Sequence, residues 1–199
     1  MSKLLKVAGV LGLVTPIFVF TCILGAVASS SSFSWINNAL SDLGVQSGFT
    51  ETLFNSALVV SGLLFMIVAI GLFVFLGKSL VGKVGVCLFS VACVALMGIG
   101  VFNETFRPTH YIVSVMLFVF LPVSLLVFVG AFWQEGRRKL SLFTLALGLV
   151  AAAPWLLQFA VHYVSGIAIP ESVSGLAGAA WTMVLGYLML KENRKTAPS

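Results

Sequence analysis

The sequence predicts an all-α polytopic membrane protein: one bundle of six transmembrane helices, with both termini cytoplasmic and a short interfacial helix in the first outer loop. Three observations predict it. Of 199 residues, 60% are apolar and only 9% charged, against about 45–50% and about 25% in soluble domains. The mean hydropathy is +1.13. The apolar residues are gathered into six long runs, and the charges fall between them in a one-sided pattern. This composition excludes an ordinary soluble domain, a disordered chain and a coiled coil. A spanning helix takes about 20 apolar residues, so the chain holds roughly six spans and little else. The whole of 1–199 reads as a single integral membrane domain, with no room for a soluble catalytic one.

The runs are placed in order as follows. The first covers about 4–28, preceded by Lys3 and Lys6. With Ala26-Val27-Ala28 before Ser29 it looks like a secretory signal. It exceeds the roughly 7–15 apolar residues of such a signal, so it is expected to be a true span. The others cover about 53–76, 84–102, 111–133, 140–163 and 173–190. Each is long enough for a helix rising about 1.5 Å per residue to cross the hydrocarbon layer. The runs lack the period-2 alternation of barrel strands. Cys22, Cys87 and Cys93 all fall inside runs, where cysteine packs as a small hydrophobe; no disulfide framework is expected.

Lys3, Lys6, Lys78, Lys83, Arg137, Arg138, Lys139, Lys191, Arg194 and Lys195 lie on one side, and Arg107 is the only basic residue on the other. Basic loops stay in the cytoplasm. A multi-pass cell-membrane protein is expected, with outer loops of about 29–52, 103–110 and 164–172. The net charge of +5 thus reflects topology signals, and no nucleic-acid partner is expected. Asp42, Glu51, Glu104 and Glu171 fall outside; Glu135 and Glu192 fall inside. Both histidines, His110 and His162, stand at outer span ends. The outer face holds nearly all residues capable of chemistry.

In the first outer loop, Trp35, Ile36, Ala39 and Leu40 follow a helical spacing, which suits a short amphipathic helix in the interface. Ser41-Asp42-Leu43-Gly44 would end it, with Gly44 as a left-handed stop. Ser47 or Thr50 would cap the second span, and Glu51 and Asn55 share one face of it. Asn55 lies about one turn inside, where a polar side chain needs a protein partner or a wet cavity. Arg107 would pair with an outer acid or hold an anionic head group. Gln158 and His162 share a face of the fifth span, and Pro154 would free a carbonyl toward that face.

A shared outer pocket built from Ser41, Asp42, Asn55, Glu104, Arg107, His110, Gln158, His162 and Glu171 is therefore expected to bind or modify a lipid or another amphiphile. Against it stands the simpler reading that these groups are solvated ends and local caps. Asp42, Glu104, His110 and His162 are the candidates for acid–base catalysis. The same four are the candidates for a divalent-metal site, though no HExxH or CxxC spacing supports one. Ser41 lacks a nucleophile-elbow motif. The spans carry no ionisable residue far from their ends, which argues against an ion-coupled carrier. Two alternatives remain: a small-molecule transporter entered near Asn55 and Gln158, and a scaffold or assembly protein. The second draws on Ser174-x-x-x-Gly178 and Gly175-x-x-x-Ala179, small residues suited to a homo-oligomer or membrane partner through span six. Membrane lipids are the expected partners in the leading reading.

The segments Ser41-Asp42-Leu43-Gly44, Leu53-Phe54-Asn55 and Ser61-Gly62 resemble those of the archaeal and bacterial six-span membrane family catalogued as domain of unknown function 998. The resemblance runs over nearly the whole chain. It includes Gly100-Val101-Phe102-Asn103-Glu104, the nearby His110, and Ile169-Pro170-Glu171. Asn103 stands where that pattern has proline. Ser41-Asp42-x-Gly44 followed by Leu53-Phe54 is also similar to the eukaryotic family of autophagy modulators and GPI-anchor lipid-remodelling proteins. The first resemblance implies the six-span fold and the second implies a lipid-related role.

Overall fold

A computed structural model describes residues 2–77 and 79–196, with side chains for 3–77 and 79–192. Lys78 and the side chains of Arg194 and Lys195, all counted among the inner basic residues, lie outside the described residues. Six helices form: α1 (Ser2–Ser29), α2 (Phe49–Phe75), α3 (Leu80–Val101), α4 (Thr109–Gln134), α5 (Arg138–Val161) and α6 (Ala168–Thr196). Each is long and apolar enough to cross a membrane. They begin two to five residues before the apolar runs do, because the polar residues at the run ends continue the backbone hydrogen-bonding for another turn.

The connections are short and chemically marked. Gly77 (φ 55°) follows α2 and Gly136 (φ 73°) follows α4; both take the left-handed backbone that stops a helix. Ser79 caps α3 by accepting from the Gly82 N–H at 3.0 Å. Prolines 16, 122 and 154 lie inside helices. One turn before Pro154, the Ala151 carbonyl accepts from the Ser174 hydroxyl of α6 at 2.6 Å; the carbonyl left free by Pro154 is that of Val150, for which no such partner is seen among the described residues.

Neighbouring helices pack in chain order, and α6 returns to α1. The approach of α6 to α1 is at backbone distance. A Cβ at Gly186 would lie 2.7 Å from the Gly9 carbonyl oxygen and 3.1 Å from Gly12 Cα. Between α4 and α6 the contact is sparse, and α5 lies across that seam. Trp155 of α5 stacks on Phe118 of α4 (centroids 4.6 Å) and donates to Ser174 Oγ of α6 at 2.9 Å.

Two apolar clusters fill the ring. One gathers Leu72, Phe89, Leu125, Phe128, Phe132, Trp181, Leu185 and Met189. Trp181 is fully buried, 4.9 Å from the Phe128 ring and 5.5 Å from Phe89, with its indole N–H on Thr144 Oγ1 at 3.1 Å. The other gathers Val19, Ile23, Leu40, Leu43, Phe54, Leu58 and Ile99. It lies at the end carrying Asp42, Glu104 and Glu171, called here the acidic end. The opposite, basic end holds the start of α1, the α2–α3 and α4–α5 turns and the end of α6. Its ion pairs join Arg137 to Glu135 (3.3 Å) and Glu192 (3.5 Å).

The first long loop departs from its expected form. Residues 35–37 make a turn, and the helical piece comes later, as a 3-10 helix at Leu40–Val45. Leu40, Ser41, Leu43 and Gly44 are buried in it. An interfacial amphipathic helix would keep one face wet; this piece instead sinks into the bundle end, because Leu40 and Leu43 complete the second apolar cluster.

The α1–α6 approach gives a direct test. Gly186→Leu must push the two backbones apart, at a cost of about 1–3 kcal/mol. Thermal unfolding in micelles should show a clear loss of stability.

Candidate functional site

The 3-10 helix forms a lid over the acidic end, and its backbone is tied down by side chains from other elements. Asp42 starts it: Oδ2 accepts from Asn38 Nδ2 at 2.6 Å and from the Ala39 N–H at 3.1 Å. The Leu40 N–H donates to Glu171 Oε2 of α6 at 2.5 Å. The Ser41 hydroxyl donates to Glu104 Oε1 at 2.8 Å. The Gly44 carbonyl accepts from Asn55 Nδ2 of α2 at 2.9 Å and from Asn103 Nδ2 at 3.2 Å. The stretch before the lid is laced to the start of α6: Gly166 donates to the Ile36 carbonyl (2.6 Å), and Ile167 and Ala168 to that of Asn38 (3.1 and 2.9 Å).

Gly44 is needed for space, not for a left-handed stop. Its φ is not positive; Gly48 (φ 88°) carries that conformation and precedes α2 without a side-chain cap. A Cβ at Gly44 would sit 2.5 Å from Asn55 Oδ1. Asn55 Oδ1 is buried and has no hydrogen-bond partner. Ser47 and Thr50 do not cap α2; Thr50 Oγ1 instead meets Ser29 Oγ at 2.8 Å.

Beneath the lid lies a cavity of about 130 Å³. Leu40, Ser41 and Glu171 stand at its acidic end, and Phe65, Phe89 and Thr182 lie deeper. The walls come from α1, α2, α3, α4 and α6; among the described residues α5 contributes none. Phe20, Leu117, Phe118 and Leu121 line it, beside Gly175, Gly178 and Ala179. Its polar lining groups other than Cys93 are Ser41, Glu171, Ser172 and Thr182. Thr182 Oγ1 is bonded to its own helix at 3.0 Å.

Five of the nine expected pocket residues meet at the lid: Ser41, Asp42, Asn55, Glu104 and Glu171. The other four do not join them. His110 is buried, and its Nδ1 donates to the Phe102 carbonyl at 2.7 Å, tying the end of α3 to the start of α4. Its Nε2 stands 3.4 Å from Ser114 Oγ. Gln158 closes the α5–α6 loop through Val164: Nε2 donates to its carbonyl (2.9 Å) and Oε1 accepts from its N–H (3.4 Å). His162 is exposed and takes the left-handed backbone (φ 45°) that ends α5. Arg107 is exposed and, among the described residues, forms no ion pair with an outer acid; the expected pairing is not made because the acids are held by the lid. Among the described residues no hydrogen bond joins a histidine to a carboxylate, and no three His, Cys, Asp or Glu side chains converge as a metal site would need.

A family model described as "Protein of unknown function (DUF998)" matches residues 13–188. The chain belongs to the DUF998 family. No curated protein and no solved structure matches it. The matched span contains the lid, every wall of the cavity and the residues that tie them together.

The walls of the cavity in this DUF998 chain were not apparent from the sequence. Phe20, Phe65, Phe89 and Leu117 look like any other apolar residue within a run. One signal was present: the small residues Gly175, Gly178 and Ala179 of α6, which line the cavity, whereas Ser174 turns to α5. Gly178 faces Leu121 (3.2 Å from an added Cβ) and Gly175 faces Phe20 (3.2 Å).

The Leu40–Glu171 bond can be tested by substitution. Glu171→Ala leaves a buried N–H unpaired, which costs about 1–3 kcal/mol. Glu171→Gln retains an acceptor. Melting temperature should fall clearly in the first variant and mostly recover in the second.

Proposed function

We propose that the protein holds the hydrocarbon chain of a membrane amphiphile in this cavity, with the amphiphile's polar end at Ser41, Glu104 and Glu171. The cavity carries this reading. Protein interiors hold few voids larger than a water molecule. This bundle brings α1 and α6 to backbone contact, yet it leaves about 130 Å³ open between its two apolar clusters. An apolar cavity of roughly 150 Å³ stays dry and takes up a small hydrocarbon. Ligand pockets for whole drug-sized molecules run about 300–1,000 Å³. The space therefore suits a length of one chain, with the rest of the amphiphile at or beyond the lid.

The polarity of the lining agrees. Ser41 and Glu171 stand together at one end, and aromatic and aliphatic side chains make the rest. That arrangement mirrors an amphiphile lying along the helices. The role is one of binding; the histidine and carboxylate groups expected to act as acid and base are held apart in separate contacts.

On the same reading the acidic end faces outward from the cell membrane and both termini lie in the cytoplasm. The support is the charge distribution, in which ten of the eleven basic residues flank the basic end. A membrane-impermeant thiol reagent tests this on intact cells. A cysteine introduced at Ser32 should react from outside; one at Lys139 should be protected until the membrane is opened. The opposite labelling would overturn the orientation.

Ala179 lines the cavity, so Ala179→Leu fills part of it. Mass spectrometry of the purified protein should find a co-purifying amphiphile in the native chain and much less in the variant, with the variant at least as stable when no ligand is present. Equal content in both would refute chain binding in the cavity.

A further inference from the structure

Resting on the amphiphile reading above, we propose that the head group it admits is an ammonium, an N–H-bearing cation, and not a phosphate or a carboxylate. Lys, Arg and His are all missing from the described lining of the cavity. Glu171 is only 7% exposed and lines it. Its one partner among the described residues is the Leu40 N–H, taken by Oε2.

The donors at this end are already committed. The Leu40 N–H goes to Glu171, and the Ser41 O–H goes to Glu104. What these groups still offer an incoming head is lone pairs, and Ser172 adds only a neutral hydroxyl. The nearby cationic candidates are turned elsewhere: Arg107 is exposed, and His110 Nδ1 is spent on the Phe102 carbonyl. Buried charges are normally paired. An ammonium at Glu171 would be the cation that lets the carboxylate stay ionised in the cavity, and its N–H groups would donate to the free lone pairs. An anionic head would meet the Glu171 carboxyl group and find no cationic side chain in the described lining.

The rest of the ligand follows from the geometry. Glu171 and Thr182 are eleven residues apart on α6, roughly 16 Å along its axis at about 1.5 Å per residue. The inner end of the cavity is walled by Phe89, whose ring lies 5.5 Å from that of Trp181. A chain entering head-outward therefore brings its tip next to a tryptophan that is fully buried.

That neighbour provides the readout. The full chain is placed in phosphatidylcholine nanodiscs and titrated with dodecylamine or dodecyl phosphate, each brominated at the chain tip. Bromine near Trp181 quenches its fluorescence. The expected result is saturable quenching by the amine at a concentration at least about tenfold lower than by the phosphate, a difference of about 1.4 kcal/mol. Glu171→Gln should remove most of that preference while leaving chain binding. A tip-brominated phosphatidylethanolamine that quenches as well as the amine would assign the ammonium to a phospholipid head; quenching by the amine alone would assign it to a single-chain amine. Phosphate binding as tightly as amine, or a preference unchanged in Glu171→Gln, would overturn the ammonium assignment and leave the amphiphile reading standing. If neither compound gives a saturable component that Ala179→Leu abolishes, the amphiphile reading itself falls.

Discussion

The structure depends on satisfying the backbone of one segment that is not α-helical at the acidic end of the bundle. Helices meet this demand internally, whereas a loop has to find its partners elsewhere. Residues 36–44 find them in Glu171, Asn55, Asn103 and the start of α6. Each partner comes from a different part of the chain, so the loop acts as a keystone that fixes how the acidic ends of the helices are spaced. The cavity exists because that spacing is held from above while the core around Trp181 holds it from below.

The same bonds explain why the acidic residues do not behave as a free cluster. Asp42 initiates the 3-10 turn, Glu104 receives a hydroxyl, and Glu171 receives a backbone N–H. Of these three acids, only Glu171 combines such a bond with a place on the cavity wall. The lid's bonding and the cavity's lining therefore meet in one carboxyl group.

The sequence made the spans legible because an apolar run of about 20 residues has few other meanings. It also pointed to the acidic end, since scarce charges in such a chain are conspicuous. It did not reveal the lid. Trp35, Ile36, Ala39 and Leu40 carry a helical spacing, but tertiary burial of Leu40 and Leu43 outweighs that local periodicity. Nor could spacing tell that His110 and Gln158 would be used up on nearby carbonyls, since those partners are backbone atoms and leave no mark in the residue pattern. The small residues of α6 were visible, but their direction was not. Helical smallness permits a close neighbour on any side, and only the packing of α1 and α4 shows that Gly175 and Gly178 look inward.

The bond from Leu40 to Glu171 joins residues 131 positions apart. A chain threaded into a bilayer from its N-terminus has its first loop in place long before the sixth helix emerges. Until then the Leu40 N–H and the carbonyls of Ile36 and Asn38 lack the groups that hold them in the finished protein. The lid therefore cannot take its final bonds before α6 is in place. On the proposed function, an amphiphile can enter the cavity during assembly, before the lid is tied down.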